Sequence, residues 1–139
     1  MLLKIKGTVI DDGHAYISAF INAPKIRRIA PIVLLIDLGA TTTTILEGDC
    51  ERIGIDCDKL QKSRSLTVVA GGKIQTYVLP DVTLFFESDD GTYDVERLQK
   101  LDVIKPRKDG IKLPFSLLGV DVIRRFKLTY TKDEFTLEK

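Results

Sequence analysis

One carboxylate stands out by its position in the sequence. Asp37 directly follows the apolar run 31–36, and Gly39 comes two residues later. Because the run is continuously apolar, we expect a strand that is buried on both faces. An ionised carboxylate at the mouth of such a strand is costly unless it is paired or its pKa shifts. Asp37 is therefore either a candidate acid–base residue or an Asp that caps a turn before a glycine.

Other nucleophiles and bases are few. The chain has one histidine, His14, and two cysteines, Cys50 and Cys57. Two cysteines cannot complete a structural zinc site, which needs four ligands, so no metal is expected. A disulfide is possible, although free buried thiols are commoner in a chain without an export signal. A hydrolase using a cysteine with His14 is disfavoured, because the sequence holds no oriented nucleophile–base motif.

Residues 34–41 (Leu-Leu-Ile-Asp-Leu-Gly-Ala-Thr) resemble the active-site signature of aspartic peptidases. In that signature two apolar residues precede Asp, then Thr or Ser, then Gly, then Ala or Ser. Further features follow in the order found in retropepsin-like (retroviral-type) peptidases. They are a helix ending near Gly54, a hairpin with glycines at its tip, and a second apolar strand that ends at Gly119 before a short helix. The resemblance covers residues 32–137.

The resemblance implies an all-β, closed barrel-like acid-protease fold with one or two short helices, and an aspartic endopeptidase activity. Two neighbouring carboxylates cannot both ionise, so they share one proton. The ionised carboxylate takes a proton from water, and the protonated one polarises the substrate carbonyl. The signature occurs once in this chain, so the implied pair is Asp37 from each of two copies in a homodimer. The implied partner is a peptide or unfolded protein substrate, and no cofactor is implied.

The resemblance also assigns residues around that pair. The signature residues are Leu38, Gly39, Ala40 and Thr41; the flap residues are Val69, Ala70, Gly71, Gly72 and Lys73; the supporting residues are Leu117, Leu118, Gly119 and Asp121. A closed flap would exclude water and position the scissile bond. Gly39 is expected to permit a tight turn beside the carboxylates, where Ala40 is small for the same reason.

Leu38 departs from the family pattern, which has Thr or Ser at this position. That hydroxyl forms hydrogen bonds across the two-fold axis, and losing such a buried partner costs about 1–3 kcal/mol. Three interpretations are open: a weaker enzyme, substitute hydroxyls from residues 41–44, or a catalytically silent dimer that binds peptides or partner proteins. Val120 is a second departure, since the viral enzymes carry an Arg there that supports the dimer. Asp121 is expected to keep part of that role.

Short strands with period-two patterning are predicted along most of the chain. The predicted elements are an N-terminal hairpin within residues 1–24, a helix over Glu47–Ile53 capped by Gly54, paired strands at 66–70 and 73–78, strands at 81–87 and 92–104, a strand ending at Leu118, a helix over 121–126, and a closing hairpin over 128–137. Many short strands with two small helices are typical of an all-β barrel or sandwich.

Composition excludes several classes of protein. The 139 residues predict one domain, 1–139, and the apolar fraction of 44% is enough for a core. Lys plus Arg is 21 and Asp plus Glu is 20, a net charge of +1. Such a balance argues against binding to nucleic acid or to an anionic membrane. No apolar run approaches the roughly 18 residues of a membrane span, and the N-terminus lacks a secretory pattern, so we expect a cytoplasmic protein.

Overall fold

The computed structural model describes residues 3–69, 72–107 and 115–139. These residues form eleven strands, two short α-helices and one 3₁₀ helix. The strands are β1 (Lys4–Lys6), β2 (Thr8–Val9), β3 (Ala15–Asn22), β4 (Ala30–Ile36), β5 (Thr44–Ile45), β6 (Gln61–Val69), β7 (Gly72–Glu87), β8 (Tyr93–Ile104), β9 (Ser116–Leu118), β10 (Lys127–Tyr130) and β11 (Phe135–Glu138). The helices are α1 (Glu47–Ile53), the 3₁₀ helix Cys57–Lys59, and α2 (Val120–Ile123).

Six strands close on themselves to form a barrel. Around its wall they run in the order β3, β4, β9, β5, β8 and β7, and β3 also pairs with β7. That last pairing, in which Phe20 lies opposite Phe85, closes the wall. The strands β2 and β6 extend the same sheet, while β1, β11 and β10 form a second sheet of three strands. The predicted all-β, closed barrel-like fold with short helices is confirmed.

The hydrophobic core contains side chains from both sheets, and buried and more exposed residues alternate along β3 and β4. The largest fully buried ones are Phe86, Phe135, Ile5, Ile17, Ile21, Ile32, Leu34, Ile45, Leu79, Leu84, Leu101 and Leu118. The expectation that the run 31–36 is buried on both faces is wrong. Ile32, Leu34 and Ile36 point inward along β4, whereas Val33 is 40% exposed on the outer wall. A wall strand of a barrel has an outer face, and here apolar residues occupy it too.

The predicted N-terminal hairpin is confirmed only for the residues on either side of its turn. β2 pairs with β3, Thr8 opposite Tyr16, as the turn residues before Gly13 predicted. The residues of β1 leave the hairpin and pair with β11 instead, Lys4 opposite Glu138. This pairing buries Ile5 to 1% exposure. The alternation of apolar and charged residues over positions 3–6 predicts a strand. It cannot identify a partner strand more than a hundred residues away.

The predicted strands at 73–78 and 81–87 are one continuous strand, β7. Its first half pairs with β6, Val69 opposite Gly72, which confirms the predicted hairpin; Ala70 and Gly71 lie outside the described residues. The strand continues through Pro80 with its pairing to β8 in unbroken register. Asp81 adopts a positive φ of 56° next to this proline, and the strand continues past it without ending.

The remaining elements follow the prediction closely. Gly54, in the left-handed region at φ 81°, caps α1, and its N–H donates to the carbonyls of Cys50 and Glu51. The helix predicted over 121–126 begins one residue earlier and ends at Ile123, with Arg124 as its cap. The N–H groups of Arg125 and Phe126 then donate to carbonyls three residues back, as in a 3₁₀ turn. The closing hairpin forms as β10 and β11. No helix in the described ranges is long and apolar enough to cross a membrane.

Candidate active site

Asp37 lies where two apolar strands end side by side. β4 and β9 run parallel, with Ile36 opposite Leu118. The ladder extends one residue further, since the N–H of Asp37 donates to the carbonyl of Leu118 over 3.1 Å. The structure therefore brings together Asp37 and the second apolar strand. Asp37 is half-buried, at the edge of the apolar interior.

A tight turn orients the Asp37 carboxylate. Its Oδ1 accepts the N–H of Gly39 at 2.9 Å, and its carbonyl accepts the N–H of Ala40 at 3.2 Å. This is an Asx turn, in which the side chain bonds the backbone two residues on. A Cβ on Gly39 would lie 3.2 Å from the same Oδ1. Gly39 therefore serves by leaving room for the carboxylate, rather than by a left-handed backbone.

The segment after the turn is held by the start of α2. The N–H of Val120 donates to the carbonyl of Ala40 over 2.8 Å, and that of Asp121 donates to the carbonyl of Thr41 over 3.3 Å. Gly119 packs directly on this segment: a Cβ there would lie 2.7 Å from the carbonyl carbon of Thr42. Only a glycine fits between the two segments without displacing one of them.

Asp121 supports the site from within the chain. Its carboxylate accepts the N–H of Thr43 at 3.0 and 3.1 Å and the hydroxyl of Thr43 at 2.8 Å. The Thr43 hydroxyl in turn accepts the N–H of Gly119 at 3.1 Å. Asp121 thus anchors the polypeptide six residues after Asp37. The sequence pointed to Thr43 only as one of four candidate hydroxyls in residues 41–44, because four consecutive threonines are also typical of a plain strand.

A second network of buried hydrogen bonds includes Ser116 of β9. The Ser116 hydroxyl donates to Oδ2 of Asp49 over 2.7 Å and accepts the N–H of Leu46 at 3.1 Å. Arg52 donates to the other oxygen of Asp49 over 3.0 Å and to the Pro31 carbonyl over 2.7 Å. Because Asp49 is paired on both oxygens, its burial to 4% exposure is compensated. The network joins α1 to β9 and β4, and the sequence offered no pattern that links these residues.

Leu38 is 56% exposed beside the carboxylate, and Thr41 is exposed as well. The candidate flap residues lie in the hairpin of β6 and β7, where Val69 and Gly72 form the last described pair and Lys73 is exposed. Ala70 and Gly71 are outside the described residues. Leu117 lies in β9 opposite both Leu35 and Thr44.

The alternative nucleophiles do not form a catalytic pair in the described chain. His14 is exposed and contacts Asp12, with 2.8 Å between Nδ1 and Oδ2. Cys50 and Cys57 are buried free thiols 3.7 Å apart. Within the described ranges, no group of three or more His, Cys, Asp or Glu side chains is arranged to hold a metal ion.

A groove of about 460 Å³ lies on the outer wall of the barrel. Its lining includes Phe20, Val33, Phe85 and Phe115 together with Arg52. Phe20 lies opposite Phe85 in the wall, so the aromatic side chains cover neighbouring strands. Asp37 is not part of this lining, and the groove is therefore separate from the candidate active site.

Comparison with known proteins identifies the fold. No protein-family model matches the chain. An uncharacterized protein of Rickettsia prowazekii (strain Madrid E) is 29% identical over 117 residues, which are 84% of this chain and 42% of the relative, so the chain spans about two-fifths of the relative's length. A solved structure of a retropepsin-like aspartic protease from Rickettsia conorii has a TM-score of 0.64 and 24% identity, covering 99% of this chain and 92% of the other. The chain therefore has a retropepsin-like fold.

Proposed function

We propose that this chain is one subunit of a homodimeric aspartic endopeptidase whose catalytic pair is Asp37 from each copy. One observation carries the proposal. In a retropepsin-like fold, the Asp37 carboxylate stands at the end of β4, beside the end of β9, with one oxygen fixed by the N–H of Gly39. A carboxylate in a fixed orientation at the edge of an apolar interior is suited to acid–base chemistry.

The proposed reaction is hydrolysis of a peptide bond by water. Two Asp37 carboxylates brought together share one proton, since both cannot stay ionised at short distance. The ionised carboxylate removes a proton from the attacking water, while the protonated one hydrogen-bonds to the scissile carbonyl. The proton is then available for the leaving nitrogen. The Gly39 N–H fixes one oxygen of each carboxylate, so that the other is directed to the partner and the substrate.

Residues at the start of α2 position the carboxylate. Gly119 and Asp121 hold the segment from Ala40 to Thr43 by packing and hydrogen bonds. A shift of about 1 Å in a reacting group lowers a catalytic rate by orders of magnitude. Gly119 and Asp121 are therefore positioning residues, which act through the backbone that follows Asp37.

The proposed substrate is an extended peptide segment, and the proposed flap comprises residues 69–73. The pairing of β6 with β7 supports this assignment, since a flap of this kind is a β-hairpin. Main-chain hydrogen bonds to such a hairpin would bind substrates of varied sequence, as in strand addition. Closure of the hairpin would exclude water other than the nucleophile.

Leu38 favours a second candidate function, a catalytically silent dimer that binds peptides or partner proteins. Leu lacks the hydroxyl that the family pattern has beneath the catalytic pair. The hydroxyls of Thr43 and Thr44 cannot replace it where they stand, because they donate to Asp121 and to the Thr42 carbonyl. The two candidates differ in one respect, which is whether bound peptide is hydrolysed.

The decisive experiment is cleavage of a peptide library and of an unfolded protein between about pH 3 and pH 7. We expect cleavage that is strongest in acid and that Asp37→Asn abolishes. Asp56→Asn is the matched control, since Asp56 likewise accepts a backbone N–H two residues on, at 3.1 Å from Asp58. The control is expected to cleave like the parent chain.

Cleavage that survives Asp37→Asn would refute the proposed catalytic pair. Peptide binding without cleavage at any pH, by a correctly folded dimer, would establish the silent binder instead. Sedimentation of the same samples completes the test, since a chain that stays monomeric at high concentration cannot pair two Asp37 carboxylates.

A further inference from the structure

Leu38 combines high exposure with a position next to the candidate catalytic carboxylate. Its exposed fraction of 56% is the highest among the large hydrophobic side chains of the described residues. Leu38 lies in the turn between Asp37 and Ala40, beyond the last residue of β4. Its exposure is therefore set by the Asx turn rather than by loose packing.

The proposed function brings this side chain to a second copy of the chain. Two carboxylates that share a proton lie about 3 Å apart. The Cα atoms of Asp37 and Leu38 are about 3.8 Å apart, as in any trans peptide. In a two-fold dimer the same surface of each copy meets its counterpart. The two Leu38 residues must therefore flank the carboxylate pair at the interface.

Three polar groups close to Leu38 donate hydrogen bonds within the chain. The Gly39 N–H donates to Asp37, and the Thr43 hydroxyl donates to Asp121. The Thr44 hydroxyl donates to the carbonyl of Thr42. The Leu38 side chain itself has no polar atom, so an apolar contact is the interaction that it offers to a second copy.

We infer that Leu38 packs against Leu38 of a second copy, and that this apolar contact holds the two Asp37 turns together. The inference rests on the proposed function and deepens it, because it names the side chain that supports the pair in place of a hydroxyl. Leu38 is a positioning residue, since it acts on the reaction only by fixing the position of Asp37.

The test compares dimer dissociation constants, measured by sedimentation, for the parent chain and three variants. Leu38→Ala removes the apolar contact, whereas Leu38→Met keeps its volume. Ile29→Ala is the matched control, since Ile29 is 53% exposed and precedes β4, while Leu38 follows it. The seven residues of β4 separate the two positions by roughly 20 Å.

We expect Leu38→Ala to raise the dissociation constant by at least about tenfold, since apolar area is lost on both copies. Leu38→Met is expected to stay within about threefold of the parent, and Ile29→Ala to be unchanged. Specific activity should also recover in Leu38→Ala when the protein concentration exceeds the new dissociation constant. That recovery separates support of the pair from direct catalysis.

A dimer in which Leu38→Ala dissociates no more readily than the parent would overturn the inference and leave the proposed function standing. Equal weakening by Leu38→Ala and Ile29→Ala would also overturn it. A parent chain that is monomeric at every concentration would instead refute the proposed function, and this inference with it. Exposure of Leu38 in the single chain means that its replacement should not impair folding, which circular dichroism of each variant verifies.

Discussion

Gly119 is required for space at the candidate site, and a side chain on Gly39 would crowd the Asp37 carboxylate. Gly119 has φ −93°, and neither residue lies in the left-handed region. The sequence predicted the tight turn at Gly39 correctly, but attributed it to backbone freedom. The true reason depends on how the Asp37 carboxylate and α2 lie against these glycines, which no local pattern encodes.

Gly119→Ala tests this close approach. The new Cβ would lie 2.7 Å from Thr42 and 2.8 Å from Thr43 backbone atoms, so the segment after Asp37 must move. We expect a loss of roughly 1–3 kcal/mol in the free energy of unfolding, as for overpacked sites, together with loss of peptide cleavage. Urea denaturation measures the first effect and a peptide assay the second.

The control for that prediction is Gly13→Ala. Gly13 has φ +90°, and an added Cβ would meet nothing within 4 Å, so alanine there costs about 1–2 kcal/mol through backbone strain alone. Its activity should remain that of the parent. A Gly119→Ala chain with unchanged stability and activity would contradict the prediction, because it would show that residues 40–43 can move away from the new Cβ without cost.

Thr43 and Asp121 should be energetically coupled. Thr43→Val and Asp121→Ala each leave a buried polar group without its partner, at about 1–3 kcal/mol each. The double variant should cost less than the sum, with a coupling of about 1 kcal/mol or more. Equilibrium unfolding in urea of the four chains gives this value.

Thr44 supplies the comparison for this cycle. Its hydroxyl donates to the Thr42 carbonyl and not to Asp121. Thr44→Val and Asp121→Ala should therefore be additive within about 0.5 kcal/mol. Equal coupling for Thr43 and Thr44 would contradict the assigned hydrogen bonds. The sequence could not distinguish these threonines, because the partner Asp121 is 78 residues from Thr43.

At the scale of elements, the pattern of the sequence located most strands and both helices but not their partners. The prediction of α1 succeeded because Gly54 marks its end. The strand predicted over 81–87 is present, but its separation from the strand at 73–78 was wrong: β7 continues through Pro80, although proline is rare inside strands. The partner of β1 was missed because Phe135 and Leu137, which cover Ile5, are distant in the sequence.

Cys50 in α1 and Cys57 in the 3₁₀ helix should form a disulfide under oxidising conditions. Their sulfurs are 3.7 Å apart and both side chains are buried. The hydrogen bond from Cys50 lowers the pKa of Cys57, whereas the hydrogen bond to Cys57 and burial raise the pKa of Cys50. Cys57 is therefore the thiol that attacks glutathione disulfide first, and Cys50 then displaces the bound glutathione.

Mass spectrometry after alkylation is the measurement for this disulfide. The expected product has lost two hydrogens, takes up no alkylating agent, and is stabilised by about 2–3 kcal/mol, as the closure of a short loop predicts. Cys50→Ala should stop at the mixed disulfide with glutathione. Two alkylated cysteines after prolonged oxidation would contradict the prediction.

At the scale of the whole molecule, a buried charge cluster lies where β8 meets the residues around the second sheet. Asp94 and Glu96 point inward from β8 and are 5% and 3% exposed. Lys139 contacts both carboxylates, at 3.4 Å and 2.5 Å, and Arg125 contacts Glu96 at 3.2 Å. The sequence predicted the strand over 92–104 but not this cluster, because the cations come from other elements.

This cluster makes stability depend on pH. Burial, together with the neighbouring Glu96, raises the pKa of Asp94 to about 6. Burial also disfavours the charge of Glu96, but hydrogen bonds from Asp94, Lys139 and Arg125 prevail and lower its pKa. The folded chain thus holds the Asp94 proton more tightly than the unfolded chain does. The Asp94 contribution to stability is present in acid and is lost as the pH rises from about 4 to about 6.

Asp94→Asn should therefore stabilise the chain above about pH 6, by roughly 1–3 kcal/mol, and have little effect below about pH 4. Urea denaturation at both ends of this range measures the difference. Asp133→Asn, in the exposed turn before β11, should change stability at neither pH. A stabilisation by Asp94→Asn that is equal at all pH values would show that the charge of Asp94 is not its cause.

The pairing of β1 with β11 has a consequence for how the chain folds during its synthesis. Lys4 lies opposite Glu138, so β1 cannot pair until more than a hundred further residues have been synthesised. At about 5–20 residues per second, β1 waits on the order of 10 s for its partner. During this time Ile5 is uncovered, and the barrel strands β3 to β9 must assemble without it. Completion of the three-stranded sheet therefore follows synthesis of the barrel strands, and contacts so distant in sequence make it a slow step.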